Sequence, residues 1–389
     1  MANNRSVVAI NLSVFLLMIG VGLIVALLPR RIMDLSSSVS AVGFLAGAYA
    51  IPNVLLQIPL GRLSDRIGFK AFIVGGYGLC GLAGLLYFCA EAPGMYFLGR
   101  FVQGLAEVPI LALAPALLSL QYAREKGRMM GLYNASLHCG LTLGGLLSIA
   151  VADQAQGGGP FLMFAALSLG GGLITALFVQ DHMPDPAAAA AVRPGTWALP
   201  ANRANLVVLA GIALYGAGYG IFITIVPAFL IGSAAAATWL VGVYFTLYYV
   251  AASLAQFFAG AWSDRKGRKT VMVFGLLPAA AGLATFHGCR STTATLALLT
   301  LAGLGLGAFC VASLAFLNDR AGPGQKGAVS GAYFFVWGMG YFVGPLLLGR
   351  AGSSLGLPWG FTLFAGLIAL ELVAILLWVR EGRAEGPTR

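Results

Sequence analysis

The stretch Gly61-Arg62-Leu63-Ser64-Asp65-Arg66-Ile67-Gly68-Phe69-Lys70 returns as Gly260-Ala261-Trp262-Ser263-Asp264-Arg265-Lys266-Gly267-Arg268-Lys269, displaced by 199 residues. Each copy follows one long apolar run and precedes another. The repeat extends well beyond the loop. Gly20-x-Gly22 with Pro29 matches Gly218-x-Gly220 with Pro227, Lys126-Gly127 matches Lys326-Gly327, and Gly140 with Gly144 matches Gly340 with Gly344. Landmarks in register along the chain predict two similar halves. Parallel repeats of this kind place a ligand site at their interface, near the bilayer midplane.

Composition supplies the setting. Of 389 residues, 59% are hydrophobic and only 9% charged, against about 25% charged in soluble domains. A bilayer core about 30 Å thick needs about 20 apolar residues per helix, and helices satisfy their own backbone there. The apolar runs are continuous rather than alternating, which excludes a transmembrane barrel. Twelve spans are predicted, near 7–28, 40–60, 71–90, 95–119, 129–152, 160–180, 205–231, 238–262, 270–288, 293–316, 328–349 and 358–379. The fold expected is an all-α membrane protein of two pseudo-symmetric six-helix bundles, 1–180 and 205–389. An Ala- and Pro-rich linker, 181–204, joins them. The first run, Val7 to Leu28, is longer than a signal h-region and leads into Pro29-Arg30-Arg31, so it is expected to stay in the membrane.

Basic residues set orientation. Arg62, Arg66 and Lys70, then Arg124, Lys126 and Arg128, then Arg265, Lys266, Arg268 and Lys269 all fall on one side. The opposite ends hold Arg30, Arg31, Arg290 and Arg350. This predicts both termini in the cytoplasm and a multi-pass protein of the inner (cytoplasmic) membrane. It also explains the formal net charge of +10 as a topology signal, so no nucleic-acid partner is expected.

The loop has the chemistry of a gate. Gly61 and its partner Gly260 let a neighbouring helix approach. Asp65 and Asp264 can accept from a helix N-terminus or pair with an arginine. Gly68 and Gly267 permit a tight turn. Arg66 and Arg265 stay hydrated, in reach of anionic lipid. Over its whole length the chain resembles the major facilitator superfamily, whose signature loop reads this way. The resemblance implies alternating access, with the loops closing the cytoplasmic side.

Leu98-Gly99-Arg100-Phe101-Val102-Gln103-Gly104 is similar to the Arg-x-x-Gln-Gly motif of proton-coupled exporters in that superfamily, which implies a proton-coupling role for Arg100. Two departures stand beside it. Leu141 occupies the place of a proline in the exporters' fifth helix, although Gly344-Pro345 supplies such a pair later. Leu17 stands where tetracycline-type exporters carry an aspartate, so a tetracycline–metal substrate is not expected.

Ionisable groups within spans are costly, at least about 2.5–3.5 kcal/mol each at the centre, and so mark function. Arg100 and Glu107 are seven residues apart and share one helix face, roughly 10 Å apart along the axis, too far to pair without a bridge. His138, near the middle of the fifth span, is a candidate proton relay or substrate contact, or a packing residue. Glu371 lies in the twelfth span, which the resemblance makes peripheral. The proton-coupling set is therefore Arg100, Glu107 and His138. The second half carries aromatics: Tyr215, Tyr219, Tyr244, Tyr248, Tyr333 and Trp337. Together with Asn53, Gln57 and Gln256 they are the candidate substrate cavity, suited to an amphipathic or aromatic molecule.

The three histidines are scattered and the five cysteines, expected to be buried free thiols, form no Cys-x-x-Cys pair. No enzyme, no metal site and no cofactor is expected, and no phosphate-binding loop implies ATP. Filter-like broken loops are missing, which argues against a channel. The expectation is a monomeric secondary transporter, exporting small amphipathic or lipophilic compounds in exchange for protons. The alternative is an exporter or flippase of a lipid-like molecule or metabolite such as a siderophore, or an uptake permease of the same fold.

Overall fold

A computed structural model describes residues 4–122, 126–151, 158–181, 202–234, 238–320 and 326–380. Among them twelve long helices follow in order: α1 (Asn4–Ser36), α2 (Val39–Ile67), α3 (Lys70–Phe88), α4 (Pro93–Gln121), α5 (Lys126–Ala150), α6 (Gly159–Phe178), α7 (Arg203–Ala234), α8 (Thr238–Lys266), α9 (Arg268–Thr285), α10 (Thr292–Asp319), α11 (Lys326–Leu355) and α12 (Leu357–Trp378). Eleven have the length and hydropathy to cross a membrane. The twelfth, α5, is 25 residues long.

The first helix overruns its sequence-based boundary. It continues through Pro29 to Ser36, because an Arg30–Asp34 pair at 3.8 Å, one turn apart, follows the proline and Ser36 caps back onto the Ile32 carbonyl at 2.7 Å. Ser38 then opens α2, its Oγ accepting from the Ala41 amide.

The glycines that mark the repeat make two equivalent helix seams. In the first half α1 packs on α5, and a Cβ at Gly144 would strike the Ile19 carbonyl and the Gly22 Cα. In the second half α7 packs on α11, and a Cβ at Gly344 would strike Ala217. Small residues allow this backbone approach where lipid offers no hydrophobic drive between helices. A second bond also repeats. Tyr133 donates to the Ile110 carbonyl at 3.1 Å, tying α5 to α4; Tyr333 donates to the Cys310 carbonyl at 3.2 Å, tying α11 to α10.

The halves meet through α2 with α11 and α5 with α8. At the end remote from the chain termini a Cβ at Gly43 would meet the Pro345 carbonyl, and one at Gly242 would meet Ile149. The two signature loops lie at the terminal end. Gly68 and Gly267 both hold positive φ, 101° and 91°, a conformation that favours glycine. The cysteines differ from expectation: Cys80 is buried, but Cys89 and Cys139 are exposed, because they sit on outward faces of α3's end and α5.

Candidate functional site

The midplane of α4 carries a buried polar ladder. Arg100, Gln103 and Glu107 are 3%, 0% and 2% exposed. Steps of three and four residues stack them on one face. Arg100 donates through a terminal guanidinium nitrogen to Gln103 Oε1 at 3.1 Å, and Gln103 Nε2 donates to Glu107 Oε1 at 2.7 Å. Gln103 is therefore the bridge that the Arg100–Glu107 separation demanded.

Neighbouring helices complete the ladder. Tyr87 of α3 donates to Gln103 Oε1 at 2.7 Å. Tyr49 of α2 donates to Glu107 Oε2 at 2.6 Å, and the Arg100 guanidinium lies 4.8 Å from the Tyr49 ring centroid. Both Glu107 oxygens thus accept a hydrogen bond. Such satisfaction is what a buried carboxyl group requires.

This ladder forms one wall of a cavity of about 230 Å³ between the halves, lined from α1, α2, α4 and α5 on one side and α7, α8, α10 and α11 on the other. The facing wall is aromatic. Tyr219 lies 5.7 Å from Trp337 and 6.0 Å from Tyr341 between ring centroids. Tyr341 in turn stands 5.7 Å from Tyr49, across the interface. His138 of α5 bonds Gln256 of α8 at 3.2 Å, a second polar link between halves. Four buried polar atoms without a partner belong to cavity residues: Arg100 Nε, His138 Nδ1, Trp337 Nε1 and the Tyr341 hydroxyl oxygen. They are the groups a bound molecule can satisfy.

Of the sequence candidates, Arg100, Glu107, His138, Tyr215, Tyr219, Gln256, Tyr333 and Trp337 line this cavity. Three sit elsewhere. Asn53 turns its amide to the Tyr49 and Gly104 carbonyls. Tyr244 donates to the Phe222 carbonyl at 2.7 Å. Tyr248 stacks on Phe222 at 5.1 Å. Gln57, Gly61, Asp65 and Arg66 belong to α2, and their side chains lie outside the described residues. Sequence reasoning left out Gln103, Tyr49, Tyr87 and Tyr341 as site residues. The spacing of Gln103 between Arg100 and Glu107 was the available signal for the first.

In the second signature loop, Asp264 pairs with Arg268, which also holds Asp319 of α10 at 2.9 Å. An added Cβ at Gly260 would find only Val311, at 3.8 Å, and Arg265 is exposed. In the first loop the Phe69 and Lys70 amides both donate to Asp181 Oδ1 at 3.1 Å, so an aspartate three residues past the end of α6 caps α3. Glu371 is 6% exposed, on the inward face of α12. Leu17 and Leu141 are buried, and Leu141 lines the cavity.

Comparison with known proteins agrees with this arrangement. The model of the Major Facilitator Superfamily matches residues 10–233 and 208–389. An MFS-type transporter of Methanocaldococcus jannaschii is 22% identical over 97% of this chain and 99% of its own length. The chromaffin granule amine transporter of Homo sapiens is 22% identical over 90% of this chain and 67% of its own. The solved structure of a point mutant of the nucleoside transporter NupG superposes with a TM-score of 0.83 at 14% identity, over 97% of this chain and all of that one.

Proposed function

We propose that this chain, which belongs to the major facilitator superfamily, exchanges protons for small amphipathic or lipophilic compounds by alternating access and works in export. The observation that carries the reading is the ladder Arg100–Gln103–Glu107–Tyr49 on the wall of the cavity between the halves. It joins a proton-accepting carboxyl group to a side chain that touches the opposite half.

Chemistry at Glu107 gives the coupling. A proton added to Oε2 competes with the Tyr49 hydroxyl for that oxygen. Tyr49 must then rotate or turn its own proton elsewhere, and its ring is packed on Tyr341 of α11. Protonation is thereby felt across the interface where the halves must rock. Arg100 reaches Glu107 through Gln103 and across the Tyr49 ring rather than by a direct contact, so it supplies positive charge without occupying the carboxyl group.

The cavity suits a small amphipathic guest. Its volume is below the usual ligand-pocket range of about 300–1,000 Å³. Tyr215, Tyr219, Trp337 and Tyr341 offer an aromatic face, and a cation among aromatic faces gains about 0.5–2 kcal/mol. An amine related to the substrates that the amine transporters' name implies fits such a face and the Glu107 carboxyl group together. With both termini in the cytoplasm, as the basic loops imply, the contacts at Gly43 and Gly242 close the outer side. The cavity is then in its cytoplasm-directed stage, ready to load for export.

Reconstitution tests this directly. Proteoliposomes with an imposed pH gradient are offered amphipathic amines, organic anions and sugars. Gradient-driven movement of amphipathic compounds, abolished by a protonophore, is expected. Transport of sugars alone, or movement indifferent to the gradient, would overturn the reading.

A further inference from the structure

A second hollow lies outside the central cavity. A groove of about 400 Å³ runs between α7, α11 and α12, with Ala213, Ala217, Val343, Leu347, Leu363 and Leu367 among its walls. Leu347, Leu363 and Leu367 are 63%, 56% and 51% exposed. On membrane-crossing helices such exposed apolar side chains face hydrocarbon, so the groove opens to the bilayer. Its floor is the α7–α11 seam, where Gly340 meets the Ala213 carbonyl and Gly344 meets Ala217. Tyr215, Tyr219 and Trp337 lie on the other side of that seam, in the central cavity.

Just past the lining of the groove, one turn further along α12, lies a buried carboxyl group. Glu371 lies one turn beyond Leu367 on α12, and Gly211 lies one turn before Leu214 on α7. A Cβ at Gly211 would lie 2.8 Å from Glu371 Oε1, so the absent side chain there makes room for the acid. Glu371 Oε1 is buried without a hydrogen-bond partner, and among the described residues no basic side chain forms an ion pair with it. It lies seven residues before Trp378 at the helix end, about 10 Å into the membrane-crossing part of α12.

The first half shows that the scaffold does not need this acid. In the registers set by Gly20 with Gly218 and by Phe161 with Phe361, the counterparts of Gly211 and Glu371 are Ser13 and Gly171. There Gly171 packs tightly against the Ser13 carbonyl and Tyr77. The second half instead places a carboxyl group at the cost of desolvation, with nothing of its own to pair it.

We propose that the α7–α11–α12 groove with Glu371 is a lateral binding site for a lipophilic primary amine drawn from the bilayer. The apolar body lies along Leu363 and Leu367, and the ammonium donates to the Glu371 carboxylate. Charge complementarity selects the amine over a neutral acyl chain, because an ammonium can pair with the buried carboxyl group in its ionised form and an acyl chain cannot. The site stands apart from the proton-coupled cavity and does not rest on that reading.

The test uses the full-length protein in lipid nanodiscs with a diazirine-bearing hexadecylamine and its hexadecanol counterpart. The amine is expected to label α11 and α12 at the groove, at least tenfold more than the alcohol. Glu371→Gln should cut amine labelling at least tenfold and leave the weak alcohol labelling as it is. Leu367→Trp, at a lipid-facing position that tolerates bulk, should block the groove and cut amine labelling to a similar extent even where Glu371→Gln folds poorly. Glu107→Gln should leave labelling at the groove unchanged. Equal labelling by amine and alcohol, undiminished labelling in Glu371→Gln or Leu367→Trp, or labelling lost in Glu107→Gln would each overturn the proposal.

Discussion

Tyr49 of α2 donates its hydroxyl proton to Glu107 Oε2 of α4 at 2.6 Å. The same ring carries the Arg100 guanidinium on one side and stands near Tyr341 of the other half. Acid, base and interface thus converge on one phenol.

Removing the acid should therefore stop coupling without unfolding the bundle. Glu107→Gln keeps the shape and can still accept from Tyr49, but it cannot cycle a proton. A charged hydrogen bond contributes about 1.5–3 kcal/mol, so gradient-driven transport in proteoliposomes should fall by roughly tenfold or more. Unchanged transport would show that the proton travels elsewhere.

Tyr49→Phe separates the hydroxyl from the ring. The contacts with Arg100 and Tyr341 persist, while Glu107 Oε2 loses its donor. Leaving a buried acceptor unsatisfied costs about 1–3 kcal/mol. A lower Tm and a weaker pH-gradient response are expected, with substrate binding in a thermal-shift assay retained. A variant that transports like the parent would uncouple Tyr49 from the mechanism.

The α1–α5 seam predicts a sharp contrast between two glycines. Gly144→Ala forces a methyl into the Ile19 carbonyl, and overpacking of this kind costs about 1–3 kcal/mol. Gly75→Ala on α3 meets nothing within 4 Å and should be neutral or stabilising by about 0.5–1 kcal/mol. Tm values of the two purified variants in detergent report the difference. Equal Tm values would mean that the seam is looser than described.

Asp181→Ala removes the acceptor for the Phe69 and Lys70 amides. Loss of a helix N-cap costs about 0.5–2 kcal/mol. A lower Tm is expected, together with faster proteolysis in the loop between α2 and α3. Restoration by Asp181→Asn, which keeps an acceptor oxygen, would identify capping rather than charge as the cause.

The His138–Gln256 bond crosses between the halves, so its two ends should be energetically coupled. A double-mutant cycle on Tm with His138→Ala and Gln256→Ala is expected to give about 0.5–1.5 kcal/mol of coupling. Strict additivity would mean that the bond contributes nothing.

Much of this architecture was readable from the chain. The repeat in Gly22, Gly140 and Gly144 and its copy identified residues that form the two seams, because helices in lipid approach closely only at small side chains. The spacing of Arg100 and Glu107 put them on one face. What sequence could not supply was rotation between helices. Tyr49, Tyr87 and Gln103 meet from three helices, and no periodicity within one of them reports that. Tyr244 and Asn53 looked like cavity residues and instead turn toward backbone carbonyls. Glu371 went the other way. It lay on a helix expected at the rim, yet it turns inward because Gly211 leaves space for it.

The paired bonds from Tyr133 and Tyr333 have an evolutionary consequence. Each hydroxyl binds a main-chain oxygen, at Ile110 in one half and Cys310 in the other. A carbonyl acceptor survives any side-chain substitution at its own position. After duplication the two copies could therefore diverge at their inner surfaces, one toward charge and the other toward aromatic rings, while inheriting the same bracing.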